Sequence, residues 1–217
     1  MKELNSQKIQ NKLRSKFLKS GVKMMAPETI FFSNDTKIGK NVIIEPYVVI
    51  GSKVKIGNNV IIKSFSHLEK CQIENNVEIG PYARIRPDTI LKEGSKIGNF
   101  VWIFPYAVLT NDPHPPSEVL QGVTVEDFVV ISTMSVILPN TVIKTGCLIG
   151  ANSLLGVKTE AGMLYSGNPA KKVCIASKIR LKDGTRRPAY PWRNHFTRGY
   201  PEEVILEWEK MSNEGII

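Results

Sequence analysis

Residues 37–62 read KIGKNVIIEPYVVIGSKVKIGNNVII, and an aliphatic residue returns in this stretch at every sixth position. The spacing continues through most of the following chain, with a slip of one residue before Ile73 and an insertion before Val125. Nineteen positions keep the frame: Ile38, Ile44, Ile50, Ile56, Ile62, Leu68, Ile73, Ile79, Ile85, Leu91, Ile97, Ile103, Leu109, Val125, Ile131, Ile137, Ile143, Ile149 and Leu155. A six-residue period of this length predicts an all-β protein, a parallel β-helix of hexapeptide repeats.

The period also predicts the geometry of this β-helix. Each hexad suits one short strand and a turn, three strands make a triangular coil, and the repeat gives about six coils at the ~4.8 Å strand spacing. Each coil buries its aliphatic residues against the coils above and below, so the two ends need caps. Glycine often directly follows the aliphatic residue, and there we expect tight corners that favour a residue without a side chain: Gly39, Gly51, Gly57, Gly80, Gly98 and Gly150.

Three regions follow from this pattern. Residues 1–24 form an N-terminal cap, in which Leu4, Ile9, Leu13 and Phe17 have helical spacing, and we expect this helix to cover the first coil or a neighbouring subunit. Residues 25–173 form the β-helix. Residues 174–217 form an extension whose first part is basic and aromatic and whose end has a helix near residues 201–212.

Composition narrows the class of protein. The chain has 217 residues, of which 42% are hydrophobic, and no apolar run reaches the ~18 residues of a membrane span. The Lys-rich N-terminus lacks an apolar segment, so we expect no secretory signal and a cytoplasmic protein. The cysteines Cys71, Cys147 and Cys174 follow no pattern, which favours reduced thiols over disulfides or a zinc site. The net charge of +9 is spread along the repeat without a nucleic-acid-binding motif, so it favours a small phosphate-bearing ligand over nucleic acid.

The one large interruption of the repeat is the loop TNDPHPPSEVLQG, residues 110–122. Loops on stiff scaffolds carry much of protein chemistry. His114 is therefore the candidate general base, because imidazole can take a proton from a hydroxyl or amine near neutral pH. Asn111 and Asp112 are candidates to orient the imidazole or the substrate, and Glu118 is a candidate substrate contact. The alternative is a surface histidine in a proline-rich loop.

Further polar residues lie in the repeat and in the extension. Arg84 and Arg86 share a strand face and could clamp a carboxylate or pyrophosphate, with Asn99 as a further substrate contact. The alternative for the arginines is a solvated corner that pairs with Asp88 or Glu93. We interpret His67 as structural, whereas His195 and Arg193 in the extension stay open as contributors to the site.

Two stretches carry a resemblance to known families. The repeat, with the TND loop and the closing SGNPAKKV (residues 166–173), resembles the left-handed β-helix, or hexapeptide-repeat, acyltransferases of the sugar acetyltransferase type. The stretches SGVKMMAPETIFF, EIGPYARIRPDTIL and KIGNFV, within residues 19–101, are similar to the acetyltransferase half of the bifunctional enzyme that makes UDP-N-acetylglucosamine. Because the repeat and its flanking segments occupy the 217 residues, we expect this chain to lack that enzyme's nucleotidyltransferase domain. Its lysine-bearing strand and histidine–tyrosine motif are also missing after Val101, so its substrate does not transfer.

The resemblance implies a left-handed coil, acetyl-CoA as the acyl donor, and a homotrimer with active sites between subunits. The acceptor it implies is a hydroxyl or amine on a nucleotide-linked or surface-glycan sugar, as in lipopolysaccharide biosynthesis. Coenzyme A has a long pantetheine arm and several phosphates. Small residues on the late coils would let the arm lie close to the backbone, and nearby lysines would meet the phosphates: Ser132, Thr133, Gly150, Ala151, Lys158, Lys171 and Lys172.

Two other functions remain open on the sequence. A metal-dependent protein similar to the γ-class carbonic anhydrases needs three histidines that converge between subunits, and this chain has only His67, His114 and His195. We therefore expect no metal. A structural or binding module without catalysis is the second alternative.

Overall fold

The computed structural model describes residues 7–213, with side chains to residue 211. It has two α-helices, α1 Gln7–Lys19 and α2 Glu202–Asn213, and short 3₁₀ helices at Pro27–Thr29, Ala176–Lys178 and Trp192–Asn194. The strands are β1 Lys23–Met24, β2 Phe31–Phe32, β3 Lys37–Ile38, β4 Ile43–Ile44, β5 Val49–Ile50, β6 Lys55–Ile56, β7 Ile61–Ile62, β8 His67–Leu68, β9 Gln72–Ile73, β10 Glu78–Ile79, β11 Arg84–Ile85, β12 Ile90–Leu91, β13 Lys96–Ile97, β14 Trp102–Ile103, β15 Val108–Leu109, β16 Thr124–Val125, β17 Val130–Ile131, β18 Val136–Ile137, β19 Val142–Ile143, β20 Leu148–Ile149, β21 Leu154–Leu155, β22 Met163–Gly167 and β23 Ala170–Ile175.

These strands form three parallel sheets, one on each side of a triangular prism. Sheet A contains every third strand from β1 to β19, sheet B runs from β2 through β20 to β22 and β23, and sheet C runs from β3 to β21. The second residue of each short strand points into the prism and the first points outward, as the burial of Arg84–Ile85 and Val136–Ile137 shows. The predicted aliphatic frame is therefore the core.

The number of coils is one more than the repeat predicts. Strands β1 to β21 make seven coils, whereas the hexad count gives about six. The difference arises because residues 23–32 supply β1 and β2, which pair with β4 and β5 in the same parallel register as all later coils. Phe32 of β2 lies six residues before Ile38 but is aromatic, and Met24 of β1 lies eight residues before Phe32, so the aliphatic frame does not include these two strands.

The glycines that follow the aliphatic residues are needed for a different physical reason than the sequence suggests. The left-handed backbone conformations fall on the third residue after the aliphatic position, where Asn41 has φ 55° and Tyr47 has φ 61°. The glycine directly after the aliphatic residue is needed for close approach instead. A Cβ on Gly80 would lie 2.5 Å from the carbonyl oxygen of Gly98 in the next coil. Glycine at this position therefore lets successive coils stack.

Helix α1 closes the first end of the prism. Its Leu13 and Phe17 are buried, and Phe17 packs against Phe32 with ring centroids 4.8 Å apart. Gln10 binds both backbone groups of Phe32, donating through Nε2 to the carbonyl at 2.8 Å and accepting the amide at 2.9 Å. The helix therefore satisfies polar groups that an open sheet edge would leave unpaired. Leu4 of the predicted helix lies outside the described residues.

The extension closes the other end of the prism and covers the upper coils of one side. β22 and β23 pair antiparallel around the turn at Gly167, which has φ 104°, and complete sheet B. The chain then folds back over the outer face of sheet B, where Trp192, Tyr200 and Trp208 are buried against prism residues such as Phe128. This second core is separate from the core inside the prism.

Candidate functional site

The loop of residues 110–122 leaves the prism at the corner where sheet C passes to sheet A. It joins β15 of sheet C to β16 of sheet A. Asn111 anchors its base: this residue is buried, its Nδ2 donates to the carbonyl of Glu93 at 3.3 Å, and its own carbonyl accepts the amide of Gln121 at 2.7 Å. The structure thus gives Asn111 a positioning role at the neck of the loop.

Asp112 organises the turn that presents His114. Its Oδ1 accepts the backbone amide of His114 and its Oδ2 accepts the amide of Ser117, each at 3.1 Å. Burial opposes ionisation, but the hydrogen bonds from Ser117 and then His114 outweigh it and lower the pKa of Asp112. The carboxylate therefore shapes the loop. The side chains of His114 and Glu118 are exposed at its tip.

The three outer faces of the prism differ in character. Sheet A carries ion pairs, such as Lys63 with Glu78 at 2.8 Å, and sheet B is covered by the extension over its upper coils. The late coils of sheet C are apolar and carry no cover from any described residue: their outward residues include Val108, Val136 and Leu138. The loop of residues 110–122 borders this apolar face at its edge with sheet A.

The other edge of the same face carries the small residues predicted for the donor. Ser132 and Thr133 follow β17 at the corner between sheets B and C, and Gly150 and Ala151 follow β20 one coil above. Their backbones stack in register, since the amide of Ser132 donates to the carbonyl of Ile149 at 3.0 Å. The sequence-predicted groups of catalyst and donor residues therefore lie on the two borders of one face.

The three predicted lysines do not form one cluster. Lys158 is exposed just after β21, at the same corner as the loop. Lys171 and Lys172 lie on β23, where they pair in register with Ser166 and Tyr165. Lys172 forms an ion pair with Glu160 at 2.7 Å, which raises the pKa of the lysine, so its charge is partly balanced.

The predicted substrate arginines face away from the loop. Arg84 projects from β11 of sheet B, opposite the corner that carries His114, and Arg86 directly follows β11 at the corner of sheets B and C. The Arg84 guanidinium lies 5.8 Å from the ring centre of Tyr200, and Arg86 lies 3.9 Å from Glu69 rather than near the acidic residues expected from the sequence. Within one protomer the structure therefore does not bring the arginines to His114.

Asn99 and the other histidines also lie apart from the loop. Asn99 donates through Nδ2 to Asp127 at 3.0 Å, in the ladder that joins neighbouring coils at the corner of sheets A and B. His67 projects from β8, and burial, followed by repulsion from Arg84, lowers its pKa. His195 lies in the extension and shares a hydrogen bond of 2.8 Å between its Nε2 and the carbonyl of Ala189. Arg193 packs its guanidinium on Phe128 at 4.9 Å, so it supports the extension.

Sequence reasoning missed an aromatic column on sheet B and its corner. Five rings stack at the corner of sheets A and B with centroids 4.7–4.9 Å apart: Tyr47, Phe65, Tyr82, Phe100 and Phe128. The sequence contains a signal for this column, because an aromatic residue returns at the same position of every third hexad. Beside this column, Trp102 and Phe104 of the prism meet the aromatic residues of the extension.

Neither a metal group nor a membrane span is found in the described part of the chain. Residues 7–213 contain no group of three His, Cys, Asp or Glu placed to hold a metal ion. Neither α1 nor α2 is long and apolar enough to cross a membrane. Burial raises the pKa of the Cys71 thiol to about 12 and also raises that of Cys147, so these two thiols are poor nucleophiles.

Comparison with known protein families supports the hexapeptide repeat of the prism. Residues 35–70 and 70–105 match the bacterial transferase hexapeptide family, described as six repeats. The bifunctional protein GlmU of Wolbachia pipientis is 38% identical over 194 residues, which cover 82% of this chain and 44% of that protein. The GlmU of Zymomonas mobilis is 54% identical over 94 residues, 43% of this chain and 21% of that protein.

The chain therefore spans less than half the length of these curated relatives. Among solved structures, the polySia-specific acetyltransferase NeuO superposes with a TM-score of 0.59 and 19% identity, covering 71% of this chain and 82% of that one. This similarity confirms the fold, the left-handed β-helix of hexapeptide repeats.

Proposed function

We propose that this chain, a hexapeptide-repeat protein with GlmU proteins among its relatives, transfers an acetyl group from acetyl-CoA to a hydroxyl or amine of a sugar. The observation that carries the proposal is the arrangement around sheet C. The loop with His114 and the small-residue column at Ser132 and Gly150 border the same bare, apolar face. The polySia-specific acetyltransferase shares the fold, which makes a glycan acceptor a reasonable analogy.

The proposed chemistry follows from the exposed imidazole. His114 takes the proton from the acceptor hydroxyl or amine as that atom attacks the thioester carbonyl, and the coenzyme A thiolate leaves and is protonated. Asp112 and Asn111 hold the loop, so they position the imidazole rather than exchange protons. A backbone amide of the opposing wall would stabilise the negative oxygen of the intermediate.

The donor would run along the small-residue column. A Cβ on Gly150 would lie 2.4 Å from Oγ of Ser166, so this glycine is needed for the close packing of the next strand and adds no side chain to the wall. Lys158, after β21, and Lys171, on β23, are both exposed at the C-terminal end of the prism and are available to meet phosphates as point charges. The proposed acceptor is a sugar carried by a nucleotide or destined for a surface glycan such as lipopolysaccharide, and with acetyl-CoA as the donor we propose that the transfer takes place in the cytoplasm.

A homotrimer completes the proposed site. Soluble proteins rarely leave a contiguous apolar face bare unless something packs on it. Leu138 is 36% exposed on the late coils of sheet C, and Val157 next to this face is 51% exposed. A second and a third copy packed on these faces would bury them and would place a neighbour's wall opposite His114. In a closed ring of identical subunits, every subunit has its apolar face buried against a neighbour.

The transfer is tested with His114→Ala, acetyl-CoA and a panel of nucleotide-linked amino sugars, following release of the free coenzyme A thiol. We expect kcat to fall by ~10²-fold or more, as for removal of a general base. His67→Gln is the matched control, because His67 lies on sheet B, away from the loop, and it should keep wild-type kcat. A loss of only a few-fold in His114→Ala removes this residue as the base, and absence of thiol release with every acceptor rejects the transferase assignment.

The trimer is tested separately with Leu138→Glu and light scattering. A charge placed in the apolar contact should convert trimers into monomers and lower activity together with assembly. The control is Leu206→Glu, which introduces the same charge at a side chain that is 50% exposed on α2. A wild-type protein that is monomeric at micromolar concentration contradicts the proposed assembly.

A further inference from the structure

A pocket on sheet B is formed jointly by the prism and the extension. Its floor is Trp102, Phe104 and Val130, and its walls are residues of the extension: Tyr190, Trp192, His195 and Phe196. The volume is about 190 Å³ and the lining is almost entirely apolar. This is smaller than the ~300–1,000 Å³ of a complete small-molecule site, so it suits one ring system of a larger ligand.

The rings that line the pocket meet one another edge to face, so a flat group that enters can stack on the face of one ring and meet the edges of the others. Trp102 meets Phe196 at 5.5 Å and Trp192 at 5.9 Å between ring centroids, with near-perpendicular planes. Phe196 is 37% exposed at the rim. The Nε2 of His195 bonds the carbonyl of Ala189, so Nε2 carries the proton of a neutral ring and Nδ1 can accept a hydrogen bond from the edge of a planar ligand.

Positive charge lies next to these rings. Arg84 pairs in register with Trp102, and Arg86 occupies the position one coil below Phe104, at the ~4.8 Å strand spacing. The Arg86 side chain is 42% exposed, and its nearest acid, Glu69, is 3.9 Å away. Residues 176–200 add seven Lys or Arg against a single Asp. The surroundings of the pocket therefore favour an anion attached to the planar group.

We infer that this pocket binds a nucleotide, with the base stacked among Trp102, Trp192 and Phe196 and the phosphates on Arg86 and Arg84. Base stacking on aromatic rings and guanidinium contacts to phosphate are the two interactions that nucleotides make most readily with proteins. The inference concerns sheet B and the extension, and it deepens the proposed acetyl transfer on which the choice of ligand rests, because Phe104 lies one coil below Ser132 at the corner of sheets B and C. Two sources share this chemistry: the adenosine end of coenzyme A and the nucleoside diphosphate of an activated sugar.

Tryptophan fluorescence gives a direct test, because the chain has three tryptophans and all lie in the aromatic cluster that borders the pocket. The protein is titrated with adenosine 3′,5′-bisphosphate, with UDP and with inorganic pyrophosphate. We expect saturable quenching by at least one nucleotide and none by pyrophosphate, which lacks a base. Tighter binding of the bisphosphate, competed by coenzyme A, assigns the donor as the source, and tighter binding of UDP assigns the acceptor.

Variants assign the binding to this pocket. Phe196→Ala removes a rim ring without opening the core, and affinity should fall by about 5- to 150-fold, the range for loss of one stacking partner. Arg86→Gln should weaken binding and reduce its salt dependence, whereas Lys182→Gln, the matched loss of charge on the exposed extension, should change neither.

His114→Ala separates this site from the proposed catalytic site, because nucleotide affinity should stay at the wild-type value even where transfer is lost. Three results overturn the inference: no saturable quenching up to millimolar nucleotide, equal quenching by pyrophosphate, or unchanged affinity in Phe196→Ala. Quenching that persists in a protein with no acetyl transfer activity rejects the proposed function and leaves the nucleotide site standing.

Discussion

Removal of one indole ring should release the C-terminal helix while the prism stays folded. Trp208 is 3% exposed and contacts four aromatic rings, with centroids 4.9 Å from Tyr200, 5.0 Å from Phe100, 5.5 Å from Trp192 and 5.9 Å from Phe128. The backbone hydrogen bonds made by amides of residues 194–205 close within the extension itself. Side-chain packing therefore holds α2 on the prism, and Trp208 is the one fully buried anchor among the described side chains of this helix.

The magnitude follows from the buried area. A buried aromatic side chain of this size covers about 150–250 Å², which at ~25 cal/mol per Å² gives about 4–6 kcal/mol for docking. The remaining contacts of α2 are the half-buried Val204 and Ile205, each worth less than the ~1.5–3 kcal/mol of full burial. An isolated helix of 12 residues has only marginal stability in water. In Trp208→Ala, α2 should consequently undock and fray.

Hydrogen exchange measured by mass spectrometry tests whether α2 undocks in Trp208→Ala. Amides of α2 should lose their protection, while those of the prism keep it, and the main thermal transition should move by less than about 2 °C because the prism has its own core. Leu206→Ala is the control on the same helix and should leave α2 protected. A main transition lowered by about 10 °C, with α2 still protected, would refute the reasoning, because the loss of ~3–5 kcal/mol would then fall on one cooperative unit.

Two further predictions concern the prism. Gly80→Ala should lower the free energy of unfolding by ~1–3 kcal/mol, because its Cβ would lie 2.5 Å from the Gly98 carbonyl oxygen, whereas Gly51→Ala, whose nearest atom is 3.1 Å away, should cost clearly less. Equal urea midpoints for the two variants would contradict close coil stacking. Iodoacetamide at pH 8 should label the half-buried Cys174 and leave Cys71 unlabelled in the native protein, because burial raises the pKa of the Cys71 thiol to about 12. Rapid labelling of Cys71, detected by peptide mass spectrometry, would show that the third coil opens.

The sequence could predict the prism because its core obeys a single period. An inward aliphatic residue in every hexad is needed by the stacking itself, so Ile38 and its successors show the fold without reference to any distant contact. The first coil was not counted because Phe32 is aromatic and Met24 is off the six-residue step, and because Gln10 of α1, rather than a repeat, supplies part of the pairing of Phe32. The cover of sheet B escaped for the same reason: nothing local to Trp192 or Trp208 says which face they pack on.

The sequence analysis did not assign the site residues to individual sheets, although the six-residue frame allows this assignment. Since three hexads make one coil, hexads that differ by a multiple of three share a sheet, and the ninth hexad, with Arg84, belongs to another sheet than the thirteenth, after which the loop leaves. Counting in threes would have separated Arg84 from His114 and joined it to Trp102, one coil above in the same sheet. Within a single protomer Arg84 therefore lies with the aromatic rings of sheet B, whereas Arg86, at the corner of sheets B and C, borders the face that the loop with His114 borders on its other edge.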